Sequence, residues 1–383
     1  MARLNTEIWN NWYYHDVFIA LLVGVLVWIS VVLSRREYWR LAFRQVFERR
    51  VMRVCFTILS VYTLIALLDS VGCHPSLRNA DGTLLRDPQT GTVVCDPDGI
   101  SVLDLLLTPI RADREKTYSA PLAARQFTKE TMTNEKGEIV RDYPPLKYPR
   151  RHLLGTDRVG NDVLYLSLKS ICTGMIIGAF TTMLVVPFAI AFGVVAGYFG
   201  KRVDDIIQYI YTVLDSIPSV LLIAAFMIIV NTKFPDVSRL AALCIIMGIT
   251  SWTGLCRVLR GETFKLREME YVQAAEAMGI SRARIICRHI VPNLMHIVLI
   301  TSVLGFSGRV LAEAILTYIG IGVGPETISW GTMINDALRE LARSPVIWWK
   351  LLAAFIFTIG LLIPANMFGD ALRDALDPRL RTE

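Results

Sequence analysis

The chain has 383 residues, 53% of them hydrophobic and 19% charged, with a formal net charge of +6 and a mean hydropathy of +0.45. Apolar runs long enough to cross a hydrocarbon layer of ~30 Å recur along it, which excludes a soluble globular enzyme and points to an all-α polytopic membrane protein. The positive charge comes from Arg and Lys gathered in short loops, so it calls for no nucleic-acid partner.

The first apolar run, 17–34, follows Trp9, Trp12, Tyr13 and Tyr14. This is an aromatic interface belt and not the basic lead of a signal peptide, so the run reads as a retained span. Arg35, Arg36, Arg40, Arg44, Arg49 and Arg50 mark a cytoplasmic linker before a second span at 51–71. Residues 72–160 are rich in Asp, Gly, Pro and Thr and read either as a loop domain on the outer side or as a partly disordered insertion. Within it Asn79–Asp87 and Asn134–Asp142 echo each other, each as a turn before a short strand. Cys73 and Cys95 fall here and are a candidate disulfide, closing a loop of about twenty residues worth roughly 3 kcal/mol on the chain-entropy account. No cysteine or histidine spacing suits a metal, so none is expected.

Five further spans are predicted at 171–197, 206–230, 239–256, 294–322 and 347–368. Basic residues collect at Lys201 and Arg202, between Arg257 and Arg288, and after Arg373. These sites alternate with seven spans in a way that puts the amino terminus outside and the carboxyl terminus in the cytoplasm. Ionisable residues inside spans are costly in lipid and mark candidate function. Asp215 lies three residues before Pro218, which is expected to kink the fourth span, and no sequence neighbour offers Asp215 a partner. Arg309 and Glu313, four apart on the sixth span, read either as a mutually neutralising pair or, for Glu313, as part of a polar path or gate shared with Asp215 and Pro218.

Between the fifth and sixth spans lies the charged, Ala-rich stretch Tyr271–Asn293. Ala274, Ala275 and Ala277 give a helix surface small enough for close approach by another protein. Gly279 ends that helix in a left-handed turn, Ser281 caps a second short helix, and Pro292 fits the first turn of the next span. Two short helices with a sharp bend outside the bilayer form either a lever for a partner or an amphipathic linker resting on lipid. The chain contains no phosphate-binding G-x-x-x-x-G-K-[ST], zinc-binding H-E-x-x-H or nucleophilic G-x-S-x-G motif, and so reads as non-catalytic with no cofactor of its own. Gly320-Ile-Gly322-Val-Gly324 ends a span and follows no strand, so it reads as small residues for close packing or local unwinding and not as a dinucleotide loop.

Tyr271–Asn293 resembles the coupling loop of permease subunits from binding-protein-dependent ABC importers, with Gln273 standing where an acidic residue is usual. Three more segments are similar to the C-type permease of dipeptide and oligopeptide importers. They are His152-Leu-Leu-Gly-Thr-Asp157 with Gly160-Asn-Asp162-Val163, Leu311–Gly322 with Ser329-Trp-Gly331, and Gly369–Arg379. Asn161 departs from the Arg usual in the first of these. The resemblance implies a type I permease bundle over 161–383, with a coupling loop at 258–292 and a first core span at 51–71. The amino-terminal 1–50 and the 72–160 loop domain exceed the usual pattern. It further implies a second homologous permease, two ATP-binding subunits that hold the ATP and Mg, a periplasmic substrate-binding protein and a bacterial inner-membrane location. Gln273, Ala274, Ala275, Glu276, Gly279, Arg284, Arg288 and Pro292 would engage an ATPase subunit, Arg284 and Arg288 at its rim or against lipid phosphates. Two other classes remain at this stage: a gradient-driven secondary transporter, and a membrane scaffold or sensor that uses 72–160.

Overall fold

The computed structural model describes residues 37–73, 100–133, 139–235 and 237–376. The run at 17–34 and Cys95 lie outside the described residues, as do the Asn79–Asp87 copy of the echo and the first five residues of its partner. Two short amphipathic or apolar helices open the described chain, α1 (Glu37–Glu48) and the span α2 (Arg50–Ser70). Strands β1 (Gly72–Cys73) and β2 (Ile100–Ser101) pair antiparallel, followed by α3 (Val102–Leu106) and α4 (Thr108–Ala112). A hairpin of β3 (Glu130–Thr133) and β4 (Ile139–Asp142) completes the extramembrane part, and β4 is the strand expected in the second echo copy.

The remaining helices are α5 (Val163–Phe199), α6 (Lys201–Asp215), α7 (Ser219–Lys233), α8 (Arg239–Thr250), α9 (Thr253–Arg267), α10 (Glu270–Ala277), α11 (Arg282–Ile285), α12 (Val291–Tyr318), α13 (Trp330–Leu341) and α14 (Trp349–Leu376). Among the described residues five helical stretches are long and apolar enough to cross a bilayer, or six if a bent pair counts as one. That pair corrects the span expected at 206–230. Instead of a kinked helix, α6 and α7 meet at 83°. Pro218 lacks an N–H and is itself extended (ψ 126°), so the ladder stops at Ser216 and restarts at Ser219.

The chain divides into two compact units. One comprises 1–44, 60–172 and 347–357; the other comprises 45–59, 173–346 and 358–383. In the first, an ionic cluster fastens α3 to α2 and α5. Lys169 Nζ donates to Asp104 Oδ2 (2.7 Å) and lies 3.6 Å from Asp69, while the Tyr165 hydroxyl donates to Asp104 Oδ1 (2.7 Å). Burial alone would raise the Asp104 carboxyl, but the hydrogen bonds from Lys169 and Tyr165 outweigh it and hold the group below its ordinary value. Ser101 and Asp104 also form a reciprocal capping box on α3. Trp349 Nε1 donates to the Thr156 carbonyl (3.0 Å), and its ring meets Phe127 edge-on at 4.9 Å.

The second unit holds two apolar clusters. One joins α5, α6, α9, α10 and the start of α12 through Val185, Tyr198, Tyr211, Leu259, Ala275 and Leu294; the other joins α5, α7, α8 and the end of α12. Gly193 and Gly197, one turn apart on α5, sit directly against the backbone of α9 at Cys256 and Arg260. A Cβ at either would collide with those carbonyls, so this is a small-x-x-x-small contact of the kind that lets membrane helices pack closely.

Candidate coupling and gating site

The loop leaving α9 is short. α10 presents Val272 and Ala275, three residues apart, to the apolar cluster with Leu259, Ile285, Ile290 and Leu294. Its other face is open to solvent and carries Gln273, Ala274, Glu276 and Ala277, with Met278 beyond it 72% exposed. Glu270 in the first turn complements the helix dipole. Of the expected contact residues, Ala275 therefore packs inward, while Gln273, Ala274, Glu276 and Gly279 lie on the accessible side. Gln273 donates to the Glu268 carbonyl at 3.3 Å, a bond that needs an amide and that an acid could not make.

Gly279 has φ +77°. Its N–H bonds the Glu276 carbonyl (2.9 Å) and the Ile280 N–H bonds the Ala275 carbonyl (3.1 Å), the two bonds of a Schellman ending. The second half of the loop differs from the expected pair of short helices. α11 passes through a π turn, Ile286–Ile290, directly into α12, so that Arg282–Tyr318 is one 37-residue stretch. Ser281 occupies the N-cap position without a side-chain capping bond, a correction to its expected role. Pro292 lies in the first turn of α12, as expected. It has no N–H to offer the carbonyl four residues back, and the hydrogen-bonding register changes in the turn just before it. Arg284 and Arg288 are both exposed on this stretch.

Two residues that sequence reasoning left without a role close the elbow. Asn293 Nδ2 donates to the His289 carbonyl in the π turn (2.8 Å) and to the Tyr271 hydroxyl on α10 (3.1 Å). One side chain thus ties the short helix to the root of the long one. The signal available in sequence was a polar amide directly after a helix-starting proline.

Asp215 does have a partner: Arg257 on α9 donates to its carboxylate, and the guanidinium also lies over the Tyr211 ring at 5.2 Å. A second pair, Asp204 with Arg260, joins the same two helices, with Arg260 Nη2 2.6 Å from Asp204 Oδ2 and 3.1 Å from Gln208. Asp215 is thus held by α9 at the break before Pro218.

The pairing of Arg309 with Glu313 is not formed. Arg309 donates to Thr182 Oγ1 on α5 (2.9 Å), while Glu313 Oε1 accepts from Thr317 Oγ1 (2.9 Å) and its Oε2 has no hydrogen-bond partner. Glu313 is fully buried within its own chain. The Thr317 hydroxyl also accepts from the Val323 N–H (3.1 Å), fixing the turn after α12. Gly322 and Gly331 lie so close to Thr317 that a Cβ on either would collide with it; of the glycines 320, 322 and 324, Gly322 thus has the packing role expected, whereas a Cβ at Gly320 would meet nothing. Ser329 and Thr332 then form a capping box on α13, and Thr173 Oγ1 donates to the Ile328 carbonyl (2.7 Å). Glu313 sits inside this α12–α13 elbow.

Residues 189–382, half of the chain, match the profile of a family described as binding-protein-dependent transport system inner membrane component. The oligopeptide transport system permease protein OppC of Bacillus subtilis is 34% identical over 240 residues, 63% of this chain and 75% of that protein. OppC of Mycobacterium tuberculosis is 35% identical over 61% of this chain and 77% of its own length. The dipeptide transport system permease protein DppC of Bacillus subtilis is 30% identical over 60% and 69%. A chain of the inward-facing MetNI methionine ABC transporter covers 56% of this chain at 13% identity and a TM-score of 0.42, a likeness on which nothing further rests. With its multi-pass helical bundle and the matched half, the chain belongs to the family of inner-membrane components of binding-protein-dependent transport systems.

Proposed function

We propose that this chain forms half of the translocation pathway of an ATP-driven importer of di- or oligopeptides. A second, homologous permease forms the other half. Two ATP-binding subunits, holding the ATP and Mg, dock beneath the two permeases, and a periplasmic binding protein delivers the cargo. The names of the OppC and DppC relatives support peptide as the cargo class. The basic loops support an orientation with the amino terminus outside and the carboxyl terminus in the cytoplasm. In this reading the chain itself is non-catalytic and passes on work done elsewhere.

The observation that carries the reading is the elbow at Gly279. An exposed face on a two-turn helix is backed by buried Val272 and Ala275, and Asn293 clamps it to a 37-residue helix. Force on Ala274, Glu276 and Met278 would tilt that long helix as a rigid element, as two-state rocking requires. Gln273, Gly279, Arg284, Arg288 and Pro292 complete the proposed coupling surface, with Ala275 as its internal support.

Peptide uptake by the full complex in sealed vesicles tests this. Uptake is expected to need ATP and to survive an ionophore. Uptake that ignores ATP and collapses with the ionophore would mean a gradient-driven transporter.

A further inference from the structure

The transport reading makes no use of a buried carboxylate–imidazole–carboxylate cluster in the segment that precedes α5. His152 Nδ1 lies 2.9 Å from Asp162 Oδ2, and its Nε2 lies 3.8 Å from Glu115 Oε1 without a hydrogen-bond partner. The three side chains are 3%, 2% and 2% exposed. Both acids have structural bonds besides. Asp162 immediately precedes α5 and its Oδ1 accepts from the Leu164 N–H (2.7 Å). Glu115 accepts from the N–H groups of Tyr148 (2.7 Å) and Lys147 (3.1 Å). The imidazole therefore stands between the first turn of a spanning helix and the loop at 147–148.

A neutral imidazole has one N–H for these two acceptors. With the proton on Nδ1, the Nε2 lone pair faces the Glu115 carboxylate. With the proton on Nε2, the other lone pair faces Asp162 at hydrogen-bonding distance. Only the imidazolium is attracted by both. The other charges nearby are Asp113, which adds to the negative field, and Arg151, which is spent on Asp113 at 2.7 Å.

We propose that Glu115, His152 and Asp162 form a proton-binding site that locks the loop at 147–152 to the first turn of α5 and releases it when the proton is lost. The hydrogen bond to Asp162 raises the His152 pKa above its ordinary value; burial opposes this, and the charges of Asp162, Glu115 and Asp113 reinforce it. A folded-state pKa above the unfolded one fixes the sign. The stabilisation is full below about pH 6.5 and is lost as pH rises through the folded value. The site thus favours the closed segment in mildly acidic surroundings and loosens it on the alkaline side.

Amide hydrogen exchange over 147–164, measured on the full chain in nanodiscs from pH 6 to 9 and normalised to intrinsic rates, tests this. In the wild type, protection is expected to fall progressively as pH rises across that range. His152→Gln, which cannot take up the proton, is expected to show weak protection that does not change with pH. Constant protection in the wild type, or an unchanged pH dependence in His152→Gln, overturns the proposal. If the variant does not fold, carbon-13 NMR on a chain with His15, His74, His289 and His296 replaced reads His152 directly. Titration above the ordinary histidine value supports the site, and titration at or below it overturns the proposal.

Discussion

The chain ends two helices with the same backbone device and uses the ends differently. At Gly279 (φ +77°) and at Gly320 (φ +86°), a left-handed glycine and a following isoleucine form the same pair of bonds back to the last turn. After Gly320, the chain folds back onto its own helix. The Thr317 hydroxyl bonds both the Val323 N–H and the buried Glu313, and Trp330 is 1% exposed. After Gly279 the chain opens outward. A Cβ at either glycine would meet nothing, so the difference lies in the helix before it: the face of α10 carrying Gln273, Ala274, Glu276 and Ala277 is exposed. One elbow is locked by side chains in the interior, while the other is held from one side, by Asn293 and by buried Val272 and Ala275, and leaves a surface free. Burial, more than backbone geometry, separates an internal corner from a surface available to a partner.

This comparison predicts a separation of effects. Gly279→Val forces a β-branched residue into a left-handed backbone, costing on the order of 1–2 kcal/mol locally. We expect ATP-driven uptake to be abolished while membrane insertion and yield stay normal; wild-type uptake would remove the lever from the account. Thr317→Val keeps the volume but leaves the Val323 N–H and one Glu313 oxygen unpaired in the interior, a loss of about 2–4 kcal/mol. Thermal unfolding in detergent should show a clear fall in Tm for this variant and a smaller one for Gly279→Val. Tyr271→Phe removes a single exposed hydrogen bond at the root of the coupling helix. Its expected cost is about 0.5–1 kcal/mol in the same assay, with a partial loss of uptake. Asp215→Asn weakens a half-exposed ion pair worth at most about 1 kcal/mol. Its effect should be the smallest, and it should disappear in the Arg257→Gln background if the two residues act only on each other.

The spans were legible because uninterrupted apolar runs such as Met175–Val195 have few other uses. The Gly279 turn was legible because the spacing of alanines, glycine and proline prescribes local geometry. What stayed hidden depended on distant residues. Pro187 and Pro364 lie inside continuous helices, whereas Pro218 ends one, and the residue type is the same in all three. Pro218 alone follows a polar Asp215-Ser216, where Asp215 bonds α9 and Ser216 takes the C-cap. The spacing of Arg309 and Glu313 suggested a local pair, but hydroxyls on Thr182 and Thr317 took both groups. Asp215 looked unpartnered because Arg257 is 42 residues away. The His152 cluster draws on residues between 115 and 162 that no local pattern links.

The most direct test of the central claim is a photo-crosslinking residue in place of Met278, 72% exposed at the end of α10, in intact membranes, with the captured partner identified by mass spectrometry. The account predicts an ATP-binding subunit as the main product, with a yield that changes when ATP is added. Capture of lipid alone would make α10 an amphipathic linker on the membrane surface and contradict the coupling role.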